Sequence, residues 1–401
     1  VFQSPPSGML SRIPHLYRVS AFYFWLMGTT ALATPYLAIW LSGRGLTEQQ
    51  IGFVNAAPFA AVLAFNLIVG RVADLLFTWR TTIVAGVTVA ALTPLGLLFA
   101  DRFWIFALCW LLVLLPVHVT IPVTDAASAR IARREGRSYA DIRVWATIGH
   151  MLITAGSGFV IGAFGIAAFL PLLFLISGMR LLTGLALPEM RRAETAGPET
   201  GAPPPAGMAQ FRRAWFVLPL LAAATINASH LMQNAFGALY WAQAGLSSGQ
   251  IGLLWATATA SEIVLMFSFG KLSRLASARW MLAAAGIVAA IRWAGLALEP
   301  GFWVLAGLQV LHMFSFGLSY LATIAFVVNW TDDAVAARAQ SIVSVMRQSM
   351  AAVVLIGFGA LAERAGASAY FAASALSLVA VALVLGSLWL MPPNRLERTP
   401  A

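Results

Sequence analysis

Apolar runs long enough to cross a bilayer recur along the whole chain, and this pattern rules out a soluble fold. A helix needs about 20 predominantly apolar residues to cross ~30 Å of hydrocarbon. Such runs fall at roughly 17–41, 51–75, 82–100, 103–129, 142–164, 166–187, 215–243, 250–271, 280–298, 302–330, 341–362 and 367–391. They are continuous, whereas the strands of an outer-membrane barrel show short alternating segments. The sequence therefore predicts an all-α membrane protein with twelve transmembrane helices. With 10% of its residues charged, the chain falls well below the roughly one quarter found in soluble domains.

The net charge of +10 would suggest nucleic acid in a soluble protein. In a membrane protein it is first a topology signal, because cytoplasmic loops keep an excess of Lys and Arg. One side collects Arg12, Arg18, Arg71, Arg80, Arg130, Arg133, Arg134, Arg137, Arg191, Arg192, Arg212, Arg213, Lys271, Arg274, Arg279, Arg338, Arg395 and Arg398, and the other only Arg44, Arg102 and Arg364. Both termini and the 188–214 connection are thus expected to be cytoplasmic. The Arg-rich, Ala-rich composition points to a bacterial source and its inner membrane. No nucleic-acid partner is needed, while a contact of 130–137 with membrane lipid headgroups stays open.

The segment 191–213 is rich in Pro, Gly, Ala and Thr and reads as a linker. It separates six spans from six. Internal similarity supports the division, since the stretches beginning at Leu46 and Leu246 share the leading Leu, a Gln-Ile-Gly triplet and a later Gly followed by a base. The expected organisation is a tail at 1–16, a six-helix bundle at 17–187, a linker at 188–214, a second six-helix bundle at 215–391 and a tail at 392–401. The first residues lack the charged, apolar and small-residue order of a cleaved signal and read as a cytoplasmic tail. Parallel repeats of this kind mark two-bundle secondary transporters, whose substrate sites lie near the midplane.

Cys109 is the lone cysteine, and His15, His118, His150, His230 and His312 are scattered. No metal motif, cofactor fingerprint or nucleophile constellation is visible, so an enzyme is not expected. Chemistry is instead sought among polar residues inside the spans, because an ionised side chain in hydrocarbon is costly and marks a functional route by default. Glu262 is the single carboxylate of the run 251–272. Arg292 and His312 fall at comparable depth in the next two spans. Glu262 and Arg292 form either a permanent structural pair or one that exchanges partners as protons and substrate arrive. Asp125 and Arg143 lie ~12 Å and ~6 Å deep in neighbouring spans, where they form either a substrate-anion site with Asp125 orienting the guanidinium, or a shallow gate pair. Arg347 faces a cavity or snorkels, and His118, His150 and His230 read as packed helix residues. Trp145, Trp241, Trp255 and Trp293 either line an aromatic cavity or sit at the membrane interface. Gly158 with Gly162, flanked by Gly156 and Gly165, and Gly357 with Gly359 read as helix-packing positions. The acceptor-like Asn227-Ala228-Ser229 lies within a span and is not a glycosylation site.

Gly70-Arg71-Val72-Ala73-Asp74, followed by Arg80, resembles the loop signature of the major facilitator superfamily, with a degenerate copy at Gly270-Lys271-Leu272-Ser273-Arg274. Pro122–Ala126 around Asp125 and Ile142–Gly149 around Arg143 and Trp145 resemble the fourth and fifth spans of the lactose-permease-like group. Ser261-Glu262, Arg292-Trp293 and Leu311–Phe314 around His312 resemble its eighth to tenth spans, closest in motif to the phenylpropionate permeases. The resemblance implies gating by Gly70, Arg71, Asp74 and Arg80. It implies substrate binding by Asp125, Arg143, Trp145, Glu262 and His312, and proton coupling by Glu262, Asp125, Arg292 and His312. Two positions depart from the lactose permease pattern: Ser315 replaces a proton-releasing Glu and Gln309 replaces a Lys. Glu262 or Asp125 must then carry the proton. The expectation is alternating-access symport of protons with a small carboxylate, aromatic acids included, and no cofactor. Alternatives are an efflux antiporter for lipophilic compounds, a sugar or nucleoside symporter, and a non-transporting receptor or scaffold of the same fold.

Overall fold

The computed structural model describes residues 14–75, 78–189, 211–331 and 333–390, and for 66–75, 140 and 333–338 it describes the backbone only. Regular structure among the described residues is entirely helical. Ten of their stretches are long and apolar enough to cross a membrane. The last, Ala339–Leu390, runs for 52 residues, or ~78 Å as continuous helix, more than twice a hydrocarbon core. It contains parts of two helices, α15 (Asp333–Ala365) and α16 (Tyr370–Leu390), joined by the 3-10 turn Gly366–Ala369.

The helices group into two compact units, Val1–Trp40 with Ala61–Gly197, and Leu41–Ala60 with Pro198–Ala401. In the first, α1 (His15–Leu26) and α2 (Gly28–Gly43) form one stretch interrupted at Met27. α4 (Trp79–Leu92) begins at Thr78, whose hydroxyl caps the Thr81 N–H. It passes into the short α5 (Pro94–Leu97), because Pro94 has no N–H with which to continue the ladder. α6 (Phe103–Arg134), α7 (Ala140–Phe164) and α8 (Phe169–Leu185) complete the unit. Val19, Phe22, Tyr23, Ile83, Val87 and Val117 form its core.

In lipid, helices associate through close packing, and small residues allow it. The glycine that serves this purpose in α7 is Gly149, where a methyl group would overlap the Phe24 carbonyl of α1. The expected contact face further along α7 is realised only in part. Gly158 is buried, but Gly162 is exposed, and a methyl group on Gly156 or Gly165 would meet nothing within 4 Å. Gly165 instead ends α7 with a φ of 74°, a backbone angle that glycine adopts without strain.

In the second unit, α9 (Ala214–Met232) runs through a π turn at Gln233–Gly237 into α10 (Ala238–Gln243). α11 (Ser248–Leu272) and α12 (Ala278–Ala297) follow. α13 (Phe302–Val310) runs through a second π turn at Met313–Gly317 into α14 (Leu318–Trp330). The repeat seen in the sequence has a local structural meaning. Ser247 and Gln250 close a capping box at the start of α11, and Thr47 and Gln50 exchange the same two hydrogen bonds at the start of α3 (Glu48–Leu75).

The beginning of α3 groups with this second unit. A methyl on Gly52 would sit 2.8 Å from the Leu355 carbonyl and from Gly359 Cα. Glu363 accepts hydrogen bonds from Thr47 Oγ1 at 2.9 Å and Gln49 N at 3.1 Å. Of the predicted packing pair, Gly359 makes the contact and Gly357 has nothing within 4 Å. Arg279, predicted as a loop cation, is fully buried near the start of α12. Its Nε donates to Ser387 Oγ at 3.0 Å, and its guanidinium lies over Phe326 and Trp330. The α12 helix begins one residue before it, which turns its side chain inward.

Candidate functional site

Polar side chains from α9, α11, α12 and the second π turn meet inside the second unit. Glu262 Oε1 of α11 lies 2.7 Å from His312 Nε2, and His312 Nδ1 lies 3.0 Å from Arg292 Nη1 of α12. A guanidinium can only donate, so Nδ1 accepts and the proton of the neutral ring sits on Nε2, which donates to Glu262. His312 is therefore a neutral bridge between a carboxylate and a cation.

Arg292 is held on every other side. Its Nε donates to the Leu308 carbonyl at 2.8 Å and its Nη2 to Gln309 Oε1 at 2.7 Å. The same Gln309 oxygen accepts from Gln233 Nε2 at 3.0 Å. The indole of Trp293 lies 4.6 Å from the guanidinium carbon, a cation–π contact that strengthens when desolvated. Beyond it, His230 Nδ1 donates to the Ile226 carbonyl at 2.8 Å, so its Nε2 accepts from the Ser315 hydroxyl at 3.1 Å.

The two π turns matter to this assembly. Such turns concentrate at functional sites, and here one begins with Gln233 and the other carries Ser315. Each ends in glycine. A methyl on Gly317 would sit 2.9 Å from Leu265 Cδ2 and 3.6 Å from Glu262 Cγ, so its lack of a side chain leaves room for the carboxylate. Accessibility is graded across the cluster: Arg292 and Gln309 are fully buried, whereas Glu262 and His312 retain 20% and 12% of their side-chain exposure. The carboxylate is at the more exposed edge and the guanidinium is sealed behind it.

In the first unit the geometry differs from expectation. Asp125 Oδ1 accepts from Tyr23 at 2.6 Å and from Tyr139 at 2.7 Å, and among the described residues no ion pair joins it to Arg143. Two phenols satisfy the carboxylate, which removes the need for a guanidinium there. Arg143 is half-buried in the first turn of α7, its side chain without a hydrogen-bond or ion-pair partner among the described residues, and Trp145 is 41% exposed. Gly70, Arg71 and Asp74 lie on the α3 backbone, with their side chains outside the described residues. Arg80 ties down the end of α8: Nε and Nη2 donate to the Leu187 and Leu185 carbonyls at 2.8 Å each, and Nη1 is 3.7 Å from Glu189. A cation at a helix C-terminus is favourable.

Sequence reasoning passed over Tyr23, Tyr139 and Gln233, while His230, read as a packed, hydrogen-bonded helix residue, is buried and bonded to Ile226 and Ser315. Gln233 carried a usable signal, being an uncharged polar residue deep within an apolar run. The tyrosines carried none, since their role is set by which helices lie beside α6.

The family model described as MFS_1 like family matches residues 16–385. A protein named "Probable 3-phenylpropionic acid transporter" from Escherichia coli (strain K12) is 28% identical over 76% of this chain and 80% of its own length. The maltose permease of Geobacillus stearothermophilus is 23% identical over 86% of each chain. Among solved structures, the nucleoside transporter NupG superposes with a TM-score of 0.79 at 15% identity, covering 94% of this chain and 99% of that one.

Proposed function

This chain belongs to the MFS_1 like family of major facilitator transporters, and from that premise we propose that it moves a small carboxylate, aromatic acids included, across a bacterial inner membrane by alternating access, coupled to protons. The observation that carries the reading is the link from Glu262 through His312 to Arg292. While Glu262 is ionised, the sealed Arg292 has a counter-charge one imidazole away. Protonating Glu262 removes that counter-charge, and a buried cation left without one is costly. The system then favours a second anion in the protein, so proton and acid are taken up together. This supplies coupling without the carboxylate that Ser315 replaces.

Asp125 is a second candidate proton carrier, held ready by Tyr23 and Tyr139. Arg143 and Trp145, half-buried and exposed at the start of α7, are assigned to receiving the acid. Gly70, Arg71, Asp74 and Arg80 are assigned to gating, for which the hold of Arg80 on the end of α8 is the available support. We read twelve crossings in two groups of six. They are the ten apolar stretches, with Ala339–Leu390 counted twice, and α3. Both termini are placed in the cytoplasm by the distribution of arginine.

The name of the 28% identical relative favours an aryl-substituted carboxylic acid. The names of the maltose and nucleoside proteins make a sugar or nucleoside the competing cargo. Uptake into proteoliposomes separates the two. An inward acid gradient should drive accumulation of 3-phenylpropionate or a related acid above its external concentration, whereas gradient-driven uptake of maltose or uridine alone would refute the acid.

A further inference from the structure

Arg180 is a cation buried in the first unit with only one of its donor groups engaged. It is 1% exposed, and its Nη1 donates to Thr29 Oγ1 at 2.8 Å. Nε and Nη2 are buried without a hydrogen-bond partner among the described residues. These two nitrogens share one edge of the guanidinium plane, the edge that takes a carboxylate side-on through two parallel hydrogen bonds. No described carboxylate occupies it. Asp125, the acid of α6, is taken by Tyr23 and Tyr139.

The position is that of a transport site. Thr29 has fourteen residues on either side of it in the stretch His15–Gly43, and His118 is at the middle of Phe103–Arg134. Arg180 reaches from α8 to that level. Thr29 accepts from Arg180 and still has a hydroxyl proton to give, with no acceptor for it among the described residues. His118 Nδ1 donates to the Leu114 carbonyl at 2.9 Å, and the ring lies within electrostatic reach of Arg180. A charge placed at mid-membrane with two orphaned donors is costly unless an anion completes it.

We propose that Arg180 and Thr29 form a mid-membrane carboxylate site, Arg180 clasping both oxygens through Nε and Nη2 and Thr29 donating its hydroxyl. Resting on the transporter reading above, this assigns the acid group of the cargo to Arg180 at mid-membrane, with Arg143 nearer the cytoplasmic start of α7. The opposite half of the cargo needs no charge.

The test is binding to the purified full-length chain in detergent, by calorimetry and melting temperature. The probes are benzoate, 3-phenylpropionate, the amides of both, and chloride. Wild type should bind at least one acid and bind its amide at least about tenfold more weakly, since a bidentate charged contact is lost. Arg180→Gln should abolish the difference between acid and amide, Arg180→Lys should restore part of it, and Thr29→Val, a milder change, should weaken the acid alone. Equal acid binding in wild type, Arg180→Gln and Thr29→Val overturns the site, as does a wild type indifferent to both acids or shifted equally by chloride. A protein that exchanges an uncharged solute yet binds no acid would lose this site and keep the transporter reading. Acid binding lost in Arg180→Gln, in a protein that transports nothing, would do the reverse.

Discussion

Arg292 donates to His312 at 3.0 Å through the ring nitrogen opposite the one that meets Glu262. This fixes the imidazole as a neutral bridge, because the guanidinium has no acceptor to offer. The charges on Glu262 and Arg292 therefore act on each other through one ring, and changes at either end should be felt at the other.

That coupling can be measured as stability. Arg292→Ala removes the cation that Glu262 faces across His312 and should cost on the order of 3–5 kcal/mol, the range for breaking one side of a buried pair. In a Glu262→Gln background the same change should cost less, with a coupling of about 0.5–3 kcal/mol. Melting curves of wild type, both single variants and the double variant give the cycle. Additive losses would show that His312 transmits nothing.

The Asp125 carboxylate depends on two phenols. Tyr23→Phe should cost about 1.5–3 kcal/mol, the range for a hydrogen bond to a charged group. Tyr139→Phe, at a half-buried position, should cost less. Asp125→Asn should recover part of the loss in the Tyr23→Phe/Tyr139→Phe variant, because no half-buried charge then lacks its donors. Thermal unfolding in detergent checks each step.

Backbone contact between α1 and α7 leaves Gly149 no room for a side chain. Gly149→Ala places a methyl group on the Phe24 carbonyl and should lower the yield of folded protein sharply. Gly156→Ala, with open space around it, should be neutral. Size-exclusion profiles of the two variants would reveal the contrast.

Much of the architecture was legible because the bilayer imposes it. Helices were expected wherever apolar runs exceeded the crossing length, and the Leu46 and Leu246 repeats, read only as a duplication, prove to share their capping hydrogen bonds. The depth of Glu262, Arg292 and His312 could be counted from the ends of their spans, and the structure brings the three together. What could not be counted was azimuth and neighbour. Asp125 and Arg143 lie at compatible depths, yet Tyr23 and Tyr139 reach the carboxylate first. Gly162 has the spacing of a packing residue but faces outward, while Gly149, with no partner at that spacing, lies against a neighbouring backbone. Arg279 reads as a loop charge and folds into an aromatic cage. Arg180 drew no notice because an isolated Arg near the end of a span resembles a snorkelling one.

The most direct measurement compares Glu262→Gln with wild type in proteoliposomes, scoring accumulation driven by an inward acid gradient and counterflow exchange at equal pH. A neutral side chain of the same shape keeps the site but cannot release a proton. Counterflow should persist while gradient-driven accumulation disappears. Accumulation by Glu262→Gln equal to that of wild type would contradict the coupling role of this carboxylate.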